Sequence, residues 1–268
     1  MITTNFHTHT VYSDGIDIPE EMVKTAIEKG FTALGFSEHS YTRLDAEICL
    51  KAEKVPEYVE EINRLKEKYK NDIKIFLGFE KDYFSSEDTS IFDYVIGSVH
   101  QIRKNGVEMS VDYSPEMTKK WVDEMYSGDF DAYAEDYFEL VGDVIEKTNA
   151  DIIGHFDLIS KFNEELGFIQ SERFLKSAEK AVKKLVKYDR PFEINTGAIS
   201  RKRRSIPYPT PEILKMIKKH GGKIAFSSDC HNKDYLDCYF DEAEKLAKNC
   251  GFQEHGIITE QGVKFVKI

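Results

Sequence analysis

The chain has 268 residues, and 37 Lys plus Arg against 48 Asp plus Glu leave a formal net charge of −11 with histidine neutral. That length suits one large α/β barrel or two smaller domains, and 32% charged beside 41% hydrophobic residues excludes a disordered or membrane-spanning chain. The acidic balance repels the phosphate backbone of nucleic acid, and the one dense basic run is Arg201 to Arg204.

From the amino terminus, MITTNFHTHT lacks the charged start and apolar run of a secretory signal, and no window approaches a transmembrane length of apolar residues. A cytoplasmic protein is expected. Short β-like runs then alternate with longer helical patterns: Thr4 to Thr10, Thr32 to Glu38, Ile73 to Glu80, Tyr94 to His100, Asp151 to Ile159, Phe192 to Gly197 and Lys223 to His231, with a short eighth at Gly256 to Thr259. The helical segments between them are Pro19 to Lys29, Pro56 to Lys70, Pro115 to Thr148 in one or two pieces, Ser171 to Tyr188, Pro211 to His220 and Asp234 to Asn249. Pro19, Pro56, Pro115 and Pro211 fall near first-turn positions, and Gly30 and Gly221 fall just past helix ends. This alternation predicts a parallel sheet in an α/β fold. No Pro-, Gly- or Ser-rich linker divides the chain, so a single domain over residues 1–268 is expected. Glu108 to Phe130 is the least regular stretch and reads as an insertion or a long solvated loop. Cys49, Cys230, Cys238 and Cys250 are widely spaced without a CxxC pair, which predicts reduced thiols.

The eight histidines carry the most information. His7, His9, His39, His100, His155 and His231 lie at carboxyl ends of predicted strands, while His220 and His255 do not. In a parallel barrel those ends gather on the face where chemistry is done. One histidine beside an apolar strand is more often a hydrogen-bonded core residue than a ligand; six at equivalent strand ends point to a metal site. Side chains at i and i+2 share a face, so His7 projects with His9, and Asp229 with His231 while Cys230 turns away to pack. Glu80 is an isolated carboxylate after a buried run, placed to bridge two cations. Asp14, in the SDG turn after HTHT, has a turn role of its own. Imidazole and carboxylate donors without thiolate suit catalytic zinc, manganese or iron.

The motifs HTHT at residues 7 to 10, SDG at 13 to 15, SEH at 37 to 39, GFE at 78 to 80, GSVH at 97 to 100, GHFDLI at 154 to 159 and SDCH at 228 to 231 resemble the polymerase and histidinol phosphatase (PHP) superfamily of metal-dependent phosphoesterases. The resemblance implies a distorted seven-stranded (β/α) TIM-like barrel with three divalent metals at the carboxyl ends of its strands. It implies one metal on His7, His9, Glu80 and Asp229, a second on His100 and His155 with Glu80 bridging, and a third on Asp14, His39 and His231. EINTGAISRK at residues 193 to 202 and YPTPEIL at 208 to 214 are similar to the histidinol-phosphatase branch, with one extra residue before the arginine. By that likeness Arg201 meets the substrate phosphate, with Arg203 and Arg204 as alternates, and Lys161 in DLISKFN is a second basic contact.

The expected activity is therefore hydrolysis of L-histidinol phosphate, a small phosphate monoester, by metal-activated water. The expected assembly is a monomer or small homo-oligomer without a membrane or a long nucleic acid. The rivals are phosphoester hydrolysis of a nucleotide or another small ester, and a non-catalytic metal-binding module. Asp157 shares a predicted face with His155, and Asp82 with Glu80, where either could support a ligand.

Overall fold

In the computed structural model, residues 2–268 are described; Met1, the first residue of the stretch read for a leader, lies outside them. The strands are β1 (Thr4–Asn5), β2 (Ala33–His39), β3 (Lys74–Asp82), β4 (Tyr94–Ser98), β5 (Gln101–Lys104), β6 (Val107–Ser110), β7 (Ile152–Ile153), β8 (Pro191–Asn195), β9 (Lys223–Ser227), β10 (Glu254–Thr259) and β11 (Gly262–Lys267). The helices are α1 (Pro19–Glu28), α2 (Val55–Lys68), α3 (Pro115–Tyr126), α4 (Phe130–Val141), α5 (Val144–Thr148), α6 (Asn163–Leu166), α7 (Glu172–Leu185), α8 (Gly197–Ser200), α9 (Pro211–Lys219) and α10 (Phe240–Asn249).

One sheet runs β1-β2-β3-β4-β7-β8-β9-β10-β11, parallel throughout except for the antiparallel β10–β11 pair. Thr8 bridges Cys230 in parallel, and the His9 amide donates to the Cys230 carbonyl at 2.9 Å. That contact joins the segment after β1 to the segment after β9 and closes the seven strands β1-β2-β3-β4-β7-β8-β9 into a barrel at their carboxyl ends, leaving β10 and β11 outside the closure. The barrel is uneven, because β1 and β7 are two residues long whereas β3 has nine. Central strands are buried on both faces, as helix-covered parallel strands must be.

The helices form where their punctuation directs. Proline occupies the first turn of α1, α2, α3 and α9, and Ser171 Oγ accepts from the amides of Arg173 and Phe174 to cap α7. Phe174, Ala178, Ala181, Val182 and Leu185 then make a buried stripe at helical spacing. Among the described residues no helix is long and apolar enough to cross a membrane.

Three expectations need correction. The stretch Glu108 to Phe130 is ordered: it holds the end of a two-stranded hairpin, β5–β6, and then α3. Asn105 and Gly106 both take positive φ at the hairpin turn, the conformation an Asn-Gly pair favours. The segment Pro115 to Thr148 is three helices, not one or two. The last apolar run is not a lone strand; it continues into β11 as a second hairpin.

Candidate metal centre

His7 and His9 follow β1, His39 ends β2, Glu80 lies near the end of β3, and His100 follows β4. His155 lies beyond β7 and Asp229 and His231 beyond β9. Four of these strands stop earlier than expected: β1 at Asn5, β4 at Ser98, β7 at Ile153 and β9 at Ser227. The chain leaves β7 at Ile153 and turns at once, and Asp229 takes a positive φ of 46°, so extended alternation does not place Asp229 and His231. The consequence drawn for Cys230 still holds: it is 1% exposed and packs in the hydrophobic core.

All nine side chains meet. Glu80 lies at the centre, with Oε2 2.7 Å from His39 Nδ1, 3.3 Å from His7 Nε2 and 3.6 Å from His9 Nε2, and Oε1 2.9 Å from His155 Nε2 and 3.4 Å from His100 Nε2. Asp229 Oδ1 is 3.3 Å from His9 Nε2 and 3.7 Å from His7 Nε2. Asp14 Oδ2 is 3.1 Å from His231 Nε2, and Asp14 Oδ1 is 3.6 Å from His39 Nε2. Ligand atoms of His7, His9 and Glu80 lie within 4.8 Å of one another, as do those of His7, His155 and Asp229, of His39, Glu80 and His100, and of His9, Asp14, His39 and His231.

The donor set fits divalent metal. His7 Nε2, both ring nitrogens of His9, Glu80 Oε2 and His155 Nδ1 are buried without a hydrogen-bond partner. An unsatisfied buried polar atom costs about 1–3 kcal/mol; His7 Nε2 and His9 Nε2 face Glu80 Oε2 at 3.3 and 3.6 Å while His9 Nδ1 turns to Asp14 at 4.0 Å, and cations in these neighbouring groups would satisfy them. Burial, then the neighbouring His39 and His231 rings, push the His9 imidazole down to about 3, which keeps it neutral with a free lone pair. Burial opposes charge on Glu80 and Asp229, yet His7 beside the first and Arg201 beside the second hold both carboxyls well below the usual range.

Surrounding groups fix the ring orientations, and sequence reasoning missed the most important of them. Glu193, in β8, accepts from His7 Nδ1 at 2.6 Å, from the His155 amide at 2.7 Å and from Asn195 Nδ2 at 3.0 Å, and it also bonds the Ser227 hydroxyl. Holding the proton on Nδ1 leaves His7 Nε2 as the lone-pair nitrogen facing Glu80. The signal was present: Glu193 interrupts the apolar run of β8 as Glu80 interrupts that of β3. Asp82 Oδ2 likewise takes the His100 amide at 2.9 Å and lies 3.3 Å from His100 Nδ1. Ser98 Oγ donates to Glu80 Oε1 at 2.7 Å. Glu38, buried beneath the HTHT turn, accepts from the Thr10 amide and hydroxyl and from Ser13; burial pushes its carboxyl up to about 7 against those bonds. Asp157 does not support His155. It accepts from the Thr210 amide and from Ser160 and lies 3.7 Å from Arg204.

A cleft of about 290 Å³ opens over this cluster and is also lined by Lys161 and Arg201. Lys161 Nζ donates to the Asp112 carbonyl at 3.0 Å and to its carboxylate at 2.9 Å. Arg201 reaches the Asp229 carboxylate and carbonyl and His231 Nδ1 at 3.0–3.1 Å. Of the two alternates, Arg203 is exposed. Arg204 is buried with Ser160 and lies over the Tyr208 ring, 4.3 Å from its centroid.

A neutral His9, converging carboxylates and cations on the rim define a metal-dependent hydrolytic centre on a (β/α) barrel. The PHP domain profile matches residues 5–197, and the chain belongs to that family. A histidinol-phosphatase from Lactococcus lactis is 29% identical over 287 aligned positions, covering 100% of this chain and 97% of its own. Among solved structures, the L. lactis histidinol phosphate phosphatase complexed with zinc, L-histidinol and phosphate superposes with a TM-score of 0.74 at 23% identity, covering 98% of each chain. A Listeria monocytogenes protein superposes with a TM-score of 0.79 at 24% identity, covering 89% of this chain and 99% of that one. These superpositions bear out the distorted TIM-like barrel.

Proposed function

We propose that this protein is a metal-dependent phosphomonoesterase that hydrolyses L-histidinol phosphate to L-histidinol and phosphate, working in the cytoplasm as one domain that spans the chain. The observation that carries the reading is that the unpartnered His7 Nε2 and His9 Nε2 face Glu80 within a buried set of imidazoles and carboxylates, roofed by Lys161 and Arg201. The similarity to histidinol-phosphatases along the whole chain supports the substrate.

In this reading His7, His9, Asp14, His39, Glu80, His100, His155, Asp229 and His231 hold three divalent cations. Such cations supply Lewis-acid polarisation of phosphoryl oxygens and activation of water as the nucleophile. Glu193 and Asp82 keep protons on the outward nitrogens of His7 and His100, so the inward nitrogens stay basic. Lys161 has three N–H donors and gives two to Asp112; Arg201 has five and gives three to Asp229 and His231. The donors left over bind the phosphate and stabilise the charge that builds on it during transfer. Neither residue forms a covalent bond to phosphorus.

The test is kcat/KM of metal-reconstituted protein on L-histidinol phosphate beside nucleotide monophosphates, a phosphodiester and an aryl phosphate. A value of roughly 10⁴ M⁻¹s⁻¹ or more for the first, well above the others, is expected. Good turnover of another member alone would keep the phosphoesterase and discard the substrate. Activity surviving verified removal of all metal would discard the mechanism.

A further inference from the structure

The cleft is polarised in a way the phosphate-binding residues do not explain. Asp14, Asp45, Glu80, Asp82, Asp112 and Asp229 all line it. Asp14, Glu80 and Asp229 face the imidazole cluster, Asp82 takes His100, and Asp112 pairs with Lys161. Among the described residues, Asp45 alone of these has no cation beside it. Its Oδ2 accepts from Thr42 Oγ1 and from Gln101 Nε2, each at 2.8 Å, and both donors are neutral. Its amide donates to Thr42 Oγ1 at 3.1 Å.

Nearby basic residues are engaged elsewhere. Arg43 pairs with Glu108 at 2.8 Å, and Lys51 bonds the Ala46 carbonyl. Gln101 is itself 1% exposed and anchored in β5, so the carboxylate is held from behind while its other oxygen has no donor among the described residues. Ile48, whose amide donates to the Asp45 carbonyl at 3.0 Å, lines the same wall and offers apolar surface next to that carboxylate. A carboxylate oriented by neutral donors and lacking a counter-charge suits a cation carried by the ligand.

We propose that Asp45 is the specificity-determining residue for the alcohol half of the substrate and binds an ammonium group on it, while Lys161 and Arg201 bind the phosphate. The inference rests on the phosphomonoesterase reading above and extends it: the cleft selects aminated alkyl phosphates over uncharged ones. Asp45→Asn is the informative variant, because the amide oxygen still accepts from Thr42 and Gln101 and only the charge is lost.

Two substrate pairs are compared by kcat and KM on metal-loaded protein: L-histidinol phosphate against its analogue lacking the amine, and 2-aminoethyl phosphate against ethyl phosphate. The wild type is expected to favour the aminated member of each pair by roughly 10- to 100-fold, the range of a charge-assisted hydrogen bond. Asp45→Asn is expected to erase that preference through KM for the aminated member alone, with kcat, bound metal and turnover of the uncharged member unchanged. A wild type without the preference overturns the assignment whatever the variant does. So does a variant that keeps the preference, or one that loses both members of a pair equally, as a purely structural role would require. If neither imidazole compound is turned over but the smaller pair shows the preference and Asp45→Asn erases it, Asp45 stands and the histidinol phosphate reading falls. If L-histidinol phosphate is turned over well and the variant keeps its amine preference, the opposite holds.

Discussion

Low in the barrel, Phe6, Ala33, Phe76, Tyr94, Ile96, Ile152 and Ile258 form an apolar cluster of their own, with Phe6 edge-on to both Phe76 and Tyr94. A few residues further along the same strands, at the carboxyl end, the interior changes to histidine and carboxylate. Phe6 is followed by His7, and on β3 the face that carries Phe76 and Gly78 continues to Glu80; Phe6, His7, Phe76 and Glu80 are all buried. The lower layer is complete as protein: its one polar group, the Tyr94 hydroxyl, donates to the Phe6 carbonyl at 2.6 Å. The upper layer is incomplete, since His7, His9, Glu80 and His155 each bury a polar atom without a hydrogen-bond partner. One end of the barrel is therefore built for stability and the other for a ligand, and substitutions in the two ends should fail in different ways.

The largest effect is expected from Glu80→Gln. The amide keeps the volume but removes the negative charge shared by His7, His39, His100 and His155, so metal content and turnover should fall together, by about 10³-fold or more in kcat/KM. Elemental analysis beside kinetics checks this, and full metal occupancy in the variant would remove Glu80 from its bridging place. The fold should survive, because the layer beneath is untouched.

Gly78→Ala, two residues earlier on β3, should show the reverse. Its new Cβ would run into the Tyr94 ring, which crosses the barrel to hydrogen-bond Phe6, and a ring on the interior of a parallel strand has little room to move. Overpacking of this kind costs typically 1–3 kcal/mol, so the thermal midpoint should drop by several degrees while the folded fraction keeps its metal and its kcat. Loss of metal at unchanged stability would mean that the two layers are not separable.

The contrast also explains what could be read from sequence. The ligand residues stood out because each is polar where an apolar run ends, and a parallel barrel brings such positions to one face. Their detailed placement was less legible. Asp229 and His231 lie past the end of β9, and Asp229 adopts a left-handed backbone, so strand alternation is the wrong rule there even though its consequence for Cys230 holds. The β5–β6 hairpin turns on Asn105-Gly106, but its strands, QIRK and VEMS, are four residues long and carry charge, so they show no apolar run. Glu193 was less legible for a different reason: it lies inside β8 rather than at its carboxyl end and acts through His7 and His155, a pairing that sequence order does not show.

Glu193→Gln disturbs the upper layer from behind the ligand rings, where the carboxylate holds His7 Nδ1 and the His155 amide. The carboxylate that holds the His7 proton and the His155 amide would be replaced by an amide that must turn one donor toward groups already donating. Metal affinity is expected to weaken roughly 10- to 100-fold with a smaller effect on turnover once metal is saturating. Titration against a chelator of known affinity measures the first quantity, and kcat at saturating metal the second. Equal losses in both would give Glu193 a part in the chemistry itself.

The smallest effect is expected from Arg203→Ala, and it tests how the extra residue in the AISRKRR loop is accommodated. Three arginines compete for the phosphate by sequence alone, but the fold gives them different surroundings. Arg201 lines the cleft and reaches Asp229 and His231. Arg204 is locked behind the site between Ser160, Asp157 and Tyr208, and removing it would strand a buried carboxylate, so Arg204→Ala should appear as lost stability. Arg203 is exposed and does not line the cleft. Arg201→Ala should therefore raise KM for the phosphate ester by roughly tenfold or more with bound metal retained, while Arg203→Ala stays within about twofold of wild type, as surface substitutions away from a site do. A KM effect in Arg203→Ala equal to that in Arg201→Ala would mean that the loop rearranges when substrate binds and carries the anion contact two residues further along.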